Sequence, residues 1–353
     1  MTLSQSDIVR ALSDFNDVNL NASDKFLRYV TDILNSIQKI QKSVYEGSWN
    51  LTVGKVDSLV DSGADLKAIV RELTQPPKSG PLLPVGMTNN LLQYDLGDFT
   101  AISGKKLVAI DGGYSLIDQQ HIDRQLIDCL QSLLTPETDC VIEFGAGWGR
   151  NLANLLLSSE NTDVTYMACE QSESGRYCFD RILGTTDGIC HESHVFDFYA
   201  PDFSMLDGRK HILAFTCAAI EQVALLPVSF MEGIFQAADK VTLVFYEPIG
   251  WQRFTNHAQF AITRLLQEIG DLVSDEDMHQ RNYQYVFKNE NFHDNSASWS
   301  LGCRYNVNLL RLIKSLTDEN PDRLVSVRYD VFGENPLNPY SLIVLSNDER
   351  PSH

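Results

Sequence analysis

The sequence lacks several things, and each lack closes off a class of protein. Basic residues are outnumbered: 28 Lys and Arg stand against 47 Asp and Glu, a net charge of −19. A chain this acidic repels phosphate backbones, so no nucleic-acid partner is expected. No apolar run approaches the roughly 20 residues that cross a bilayer, so no membrane partner is expected. The first residues, MTLSQSDIVRALSDF, have no basic stretch leading into an apolar block and do not read as a secretion signal. The seven cysteines (Cys129, Cys140, Cys169, Cys178, Cys190, Cys217 and Cys303) are odd in number, widely spaced and never C-x-x-C. That pattern fits reduced thiols in a cytoplasmic protein. Internal repeats and low-complexity tracts are also missing.

What is present is a soluble globular composition, 43% hydrophobic and 21% charged over 353 residues, enough for one large domain or two ordinary ones. The most informative stretch is Val141 to Asn151, VIEFGAGWGRN. Strand-forming residues (Val141, Ile142, Phe144) run into Gly145, Gly147 and Gly149, and an apolar helical run starts at Leu152. Strand, glycine turn and helix start together form a floor on which a ligand approaches the main chain. The dinucleotide fingerprint G-x-G-x-x-G fails, because Arg150 stands three after Gly147. The phosphate-binding loop fails as well, since no Gly-Lys-Ser/Thr follows. Glu143, two residues before the first glycine, sits poorly beside a pyrophosphate and suits a ligand with an ammonium group and no phosphate.

The stretch E-F-G-A-G-W-G resembles the first motif of the class I S-adenosylmethionine (SAM)-dependent methyltransferases. The resemblance covers roughly residues 122 to 347. It implies an α/β fold: a Rossmann-like sheet of parallel strands with an antiparallel C-terminal hairpin, here preceded by an all-helical N-terminal region. It also implies SAM as cofactor and methyl transfer as activity, and it is silent on the acceptor. Cofactor contacts fall to Glu143, Gly145, Ala146, Gly147, Gly149 and Asn151 around the turn. They continue with Glu170 and Gln171 after the second strand, Asp197 and Phe198 at the third, and Thr216 at the fourth. Glu170 lies 21 residues after Gly149, a distance that suits ribose hydroxyls in SAM and NAD alike, ahead of the alternative of a surface acid capping the next helix. A leucine at Gly147 is expected to block the cofactor without disturbing the N-terminal helices.

In chain order, Phe26, Val30, Ile33, Ile37, Ile40 and Val44 form an a/d seam in a helix starting at Ser23 or Asp24 and ending near Gly47. It reads either as a long helix in a bundle or as a homodimer contact. A second helix is expected over Asp65 to Leu73. Pro76 to Gly86 holds four prolines and two glycines and is the candidate linker, dividing a helical region (1–86) from the methyltransferase domain (87–353). A helix over Ile122 to Leu134 precedes the glycine-turn strand. Further strands are expected at Val164 to Cys169, His194 to Phe198, His211 to Thr216 and Val241 to Tyr246, with a helix from Pro227 to Ala237. The C-terminal set is Asn306 to Leu316 as helix, then Leu324 to Val331 and Tyr340 to Leu345 as strands. Residues 250–303 form a long, aromatic-rich insert, either a substrate lid or an elaboration over the sheet edge.

An O or N acceptor that must lose a proton needs a base. Glu221, Glu247 and His257 are the catalytic candidates, with His293 behind them. Glu221 reads equally as a first-turn helix cap, and the histidines as ordinary polar loop residues. His191, His194, Cys190 and Asp197 do not have the closed spacing of a zinc site, so no metal is assigned. The expected substrate is a small or medium polar molecule such as a sugar, an amino-acid derivative or a secondary metabolite. Two alternatives are a nicotinamide-dependent oxidoreductase and a non-catalytic SAM-fold partner subunit.

Overall fold

The computed structural model describes residues 24–74, 101–102, 105–110, 113–118, 124–159, 163–253, 296–297, 300, 305–333 and 338–348. The proline-rich linker, most of the 250–303 insert, His257 and His293 lie outside the described residues.

The elements in chain order are α1 (Asp24–Asp61), α2 (Leu66–Thr74), β1 (Ala101–Ile102), β2 (Lys105–Ile110), β3 (Gly113–Asp118), α3 (Arg124–Leu133), β4 (Cys140–Phe144) and α4 (Arg150–Ser159). There follow β5 (Thr165–Cys169), α5 (Glu173–Leu183), β6 (His191–His194), β7 (His211–Cys217), α6 (Val228–Ile234), β8 (Lys240–Glu247), α7 (Leu309–Glu319), β9 (Leu324–Phe332) and β10 (Tyr340–Ser346). The seven-stranded sheet has the order β6-β5-β4-β7-β8-β10-β9. β6 through β8 are parallel; β10 pairs antiparallel with both β8 and β9. The expected Rossmann-like sheet with an antiparallel hairpin is what the chain forms.

Strand interiors explain this order. β4 and β5 are buried along their whole length, which a parallel sheet covered on both faces requires. Alternation along β4 sends Cys140, Ile142 and Phe144 into one core and Val141 into the other. The first core holds α6 and α7, the second α2 to α5. Rings of Phe144, Phe196, Phe198, Phe203 and Phe230 pack edge-on or tilted in the first core, with centroids 4.6 Å apart for Phe144 and Phe196. Their burial contributes several kcal/mol and fixes the loop after β6.

Three boundaries differ from expectation. α1 does not stop near Gly47 but continues for 38 residues through Gly47 and Gly54. Docking on α5 offsets the ~1 kcal/mol that each helical glycine costs: Tyr177 and Arg181 both reach Asp57, and Arg181 reaches Asp61. The third strand spans His191–His194, so Asp197 and Phe198 lie in the loop beyond it. Apolar Val195 and Phe196 continue the strand-like pattern in sequence, but the aromatic cluster, not a strand neighbour, holds Phe196. The third difference is a small antiparallel sheet, β1-β2-β3, between the linker and α3, where no element is expected from the sequence. It is joined to the end of β9 by paired backbone bonds between Ala109 and Gly333.

Candidate active site

Every strand of a parallel sheet ends on the same edge, and turns there gather what the strands deliver. A cavity of about 420 Å³ opens along this edge. It is reached by the turns after β4 to β7, by the ends of β8 and β9, and by the start of β10.

Gly145 and Gly147 have φ of +78° and +53°, so the β4 turn demands glycine. A Cβ on Gly145 would lie 2.4 Å from Ala219 Cβ, and one on Gly147 would lie 2.7 Å from Trp49. Trp49 belongs to α1, so the N-terminal helix covers the turn. Gly147→Leu would therefore also push α1 off its seat, contrary to the expectation that the N-terminal helices would be untouched. Gly149 does not line the cavity; it lets Phe179 of α5 pack against the turn.

Two carboxylates flank the turn and behave differently. Glu170 spends both oxygens on backbone: Gly147 N–H donates to Oε2 at 2.9 Å and Ser172 N–H to Oε1 at 2.8 Å. Glu143 is buried, and Asn151 Nδ2 donates to its Oε1 at 2.6 Å, while its Oε2 has no hydrogen-bond partner. Burial pushes the Glu143 carboxyl up to about 8, against the lowering effect of Asn151. A carboxylate oxygen buried without a partner, on a residue that lines a cavity, favours a cation beside it.

Gly145, Ala146, Gly147, Asn151, Glu143, Glu170 and Gln171 all line the cavity, as do Asp197 and Phe198. Tyr199 N–H donates to Asp197 Oδ1 at 2.9 Å, fixing that loop. Thr216 is fully buried and does not line the cavity.

The two glutamate catalytic candidates also do not line it. Glu247 is fully buried and accepts three backbone N–H groups, from Ala219 and Ile220 on Oε1 and from Glu221 on Oε2, at 3.0–3.1 Å. It thereby anchors the turn after β7, where Ala218 holds a φ of 52°. Burial pushes its carboxyl up to about 7. Glu221 accepts from Gln222 and Asn338 and lies against Glu247; burial first, then the Glu247 charge, hold its carboxyl well above the ordinary range. Glu247 is occupied with structure, because it satisfies the backbone donors of the β7 turn, and Glu221 is held beside it by two side-chain amides.

Several cavity residues escape sequence reading. Lys42, Tyr45 and Trp49 line it from α1. Their spacing of three and four marks a second helix face beside the apolar seam, the one signal that was there to find. On the same helix, Glu46 caps α5 by accepting from Glu173 N–H at 2.7 Å and Ser174 N–H at 3.0 Å. At the other end, Leu126, Tyr246, Phe332 and Tyr340 form walls that come together only in the folded sheet.

No family model matches the sequence, and no curated protein matches it either. Solved structures overlap it in part. The mycolic acid cyclopropane synthase CmaA1, complexed with SAH and CTAB, aligns at 9% identity over 59% of this chain and 64% of its own, with a TM-score of 0.35. The plantazolicin methyltransferase BpumL in complex with SAH aligns at 9% identity over 64% of this chain and 81% of its own, with a TM-score of 0.37. The pyocyanin biosynthetic protein PhzM aligns at 10% identity over 63% and 54%, with a TM-score of 0.35. This chain thus spans a little under two thirds of the cyclopropane synthase's length. At these TM-scores the overlap is one of outline, and the fold rests on the strand order: a Rossmann-like α/β sheet whose strand ends share one cavity.

Proposed function

We propose that the chain is a SAM-dependent methyltransferase acting on an O or N atom of a small or medium polar acceptor. The observation that carries this reading is Glu143, which lines the cavity and whose buried Oε2 has no protein partner, beside a glycine turn with no phosphate-binding residues. An ammonium group satisfies that oxygen. Glu170 and Gln171 stand at the next strand end for ribose, and Asp197 and Phe198 at the one after for an adenine edge and face. The cofactor supplies an electrophilic methyl on a sulfonium. The protein's part is to hold the acceptor in line and exclude water, and Trp49 over Gly147 is placed for the second task.

Calorimetric titration with SAM and with S-adenosylhomocysteine tests the reading. Micromolar binding of both is expected, and a folded chain that binds neither sinks it. A cytoplasmic setting belongs to the same proposal, supported by six described cysteines that are all unbridged; among the described residues no helix is long and apolar enough to cross a membrane. Pairing of two chains through the N-terminal part of α1 is proposed as well. Sedimentation of the full chain carrying Ile33→Glu and Ile37→Glu should then show monomer where the parent shows dimer.

A further inference from the structure

The strand order splits the cavity in two. β6, β5 and β4 bring the groups assigned to the cofactor; β8, β9 and β10 bring Tyr246, Phe332 and Tyr340, which cluster with Leu126 of α3 and Trp148 of the β4 turn. The second half is walled by Leu126, Trp148, Tyr246, Phe332 and Tyr340, one aliphatic and four aromatic side chains. The rings of Tyr246 and Tyr340 lie 4.8 Å apart at 33°, a tilted pair at the paired ends of β8 and β10. Flat rings stack on such walls. A sugar would instead need converging donors and acceptors for its hydroxyls.

Arg150, the first residue of α4, lines the same cavity together with Glu143 and Cys217. Its five N–H donors allow it to serve a partner within the protein and a ligand anion together.

A proton acceptor is what this half lacks among the described residues. Glu221 and Glu247 are turned to the β7 turn, and no histidine lines the cavity. Cys217 does line it, but burial, then the charges of Glu143 and Glu247, hold its thiol well above the ordinary value and keep it protonated. Among the described residues, then, none is placed to take a proton from the attacking atom, and an acceptor that arrives already ionised needs none.

We propose that this second half is the acceptor site and that it takes a planar aromatic carboxylate, methylated on a carboxylate oxygen. The assignment rests on the cofactor reading above. In the step, a carboxylate lone pair forms the new O–CH₃ bond while the S–CH₃ bond breaks. Its electron pair stays on sulfur, leaving a neutral thioether and a methyl ester, and no proton moves. Arg150 holds the carboxylate, and Tyr246 and Tyr340 hold the ring.

The test uses the full chain with S-adenosylhomocysteine bound. It is titrated with benzoate and naphthoate derivatives and, separately, with hexoses and aliphatic amines, with intrinsic fluorescence and calorimetry as readouts. Turnover with methyl-labelled SAM is scored for base-labile product that releases methanol. Expected are selective binding of the aromatic acids and a base-labile ester. Tyr340→Leu, which keeps an apolar wall, should raise KM for the acid about tenfold with little change in kcat. Arg150→Gln should raise it by ten- to a hundredfold. Cofactor binding without aromatic-acid binding overturns the acceptor assignment and leaves the cofactor reading standing. Alkali-stable methylation of sugars or amines that Tyr340→Leu leaves unchanged also overturns it. If the cofactor fails to bind, that reading falls. Aromatic-acid binding to the free chain, weakened by both substitutions, then still supports the site, and no such binding overturns it.

Discussion

β4 and β8 each deliver a buried glutamate to the ligand edge of the sheet, yet Glu143 and Glu247 do different work. Glu143 lines the cavity and keeps one buried oxygen without a partner. Glu247 uses both of its oxygens on three backbone N–H groups of the neighbouring turn and does not line the cavity. Burial raises both carboxyls, to about 8 and about 7. Burial and a raised carboxyl therefore do not separate these two acids; their hydrogen-bond partners and their place at the cavity do. The first acid has an oxygen that the proposed ammonium group would satisfy, and the second has had its need met by the fold.

The same substitution at both positions breaks this comparison most sharply. Glu143→Gln is expected to weaken SAM binding about a hundredfold, since a buried ion pair loses one partner, while the ligand-free chain melts at the same temperature or higher. Calorimetry and thermal melts read the two effects separately. Glu247→Gln should do the reverse. Its amide nitrogen cannot accept, so at least one buried N–H is stranded at a cost of about 1–3 kcal/mol; the melting temperature drops and cofactor affinity per folded molecule changes less than threefold. If Glu247→Gln lost binding and kept stability, the assignment of roles would be inverted.

Proton linkage sharpens the contrast at the next scale. The folded, ligand-free chain holds a proton on Glu143 that a bound ammonium would displace. Cofactor affinity should thus rise between pH 6 and 7.5, by at most about tenfold per pH unit, with proton release visible in buffers of different ionisation enthalpy. Glu143→Gln should abolish that release, and Glu247→Gln should leave it. For stability the sign is opposite. Both folded carboxyls lie above the unfolded value of 4.5, so the folded state binds more protons and the ligand-free chain loses stability from about pH 4.5 until pH passes 7 to 8. The smallest effect expected is at the cover: Trp49→Ala should weaken the cofactor by about fivefold, through faster release seen in stopped flow, because a wall is lost but no charge.

How much was legible in the sequence follows from how local each signal is. The β4 turn was legible because its requirements fall on adjacent residues: strand, three glycines, an acid and a helix start within eleven positions. Hydrophobic runs also located β5, β7, β8 and the C-terminal hairpin, since burial on both faces writes itself into each strand. The small β1-β2-β3 sheet was not legible, and neither was the end of β6, where a tertiary aromatic cluster overrides a strand-like pattern. Helix α1 outran its expected end because the contacts that hold its last turns come from α5, more than 110 residues away in sequence.

The site divides along the same line. The sequence by itself determined the fold class, the cofactor-side turn and the acids at the strand ends, because these depend on backbone conformation and periodicity within short windows. Only the tertiary structure decided which acid faces the cavity, that α1 lays Trp49 over Gly147, and that Tyr246, Phe332 and Tyr340 share a wall with Leu126. Those facts depend on which strand ends become neighbours and which backbone donors reach a carboxylate first, and no spacing along the chain encodes either.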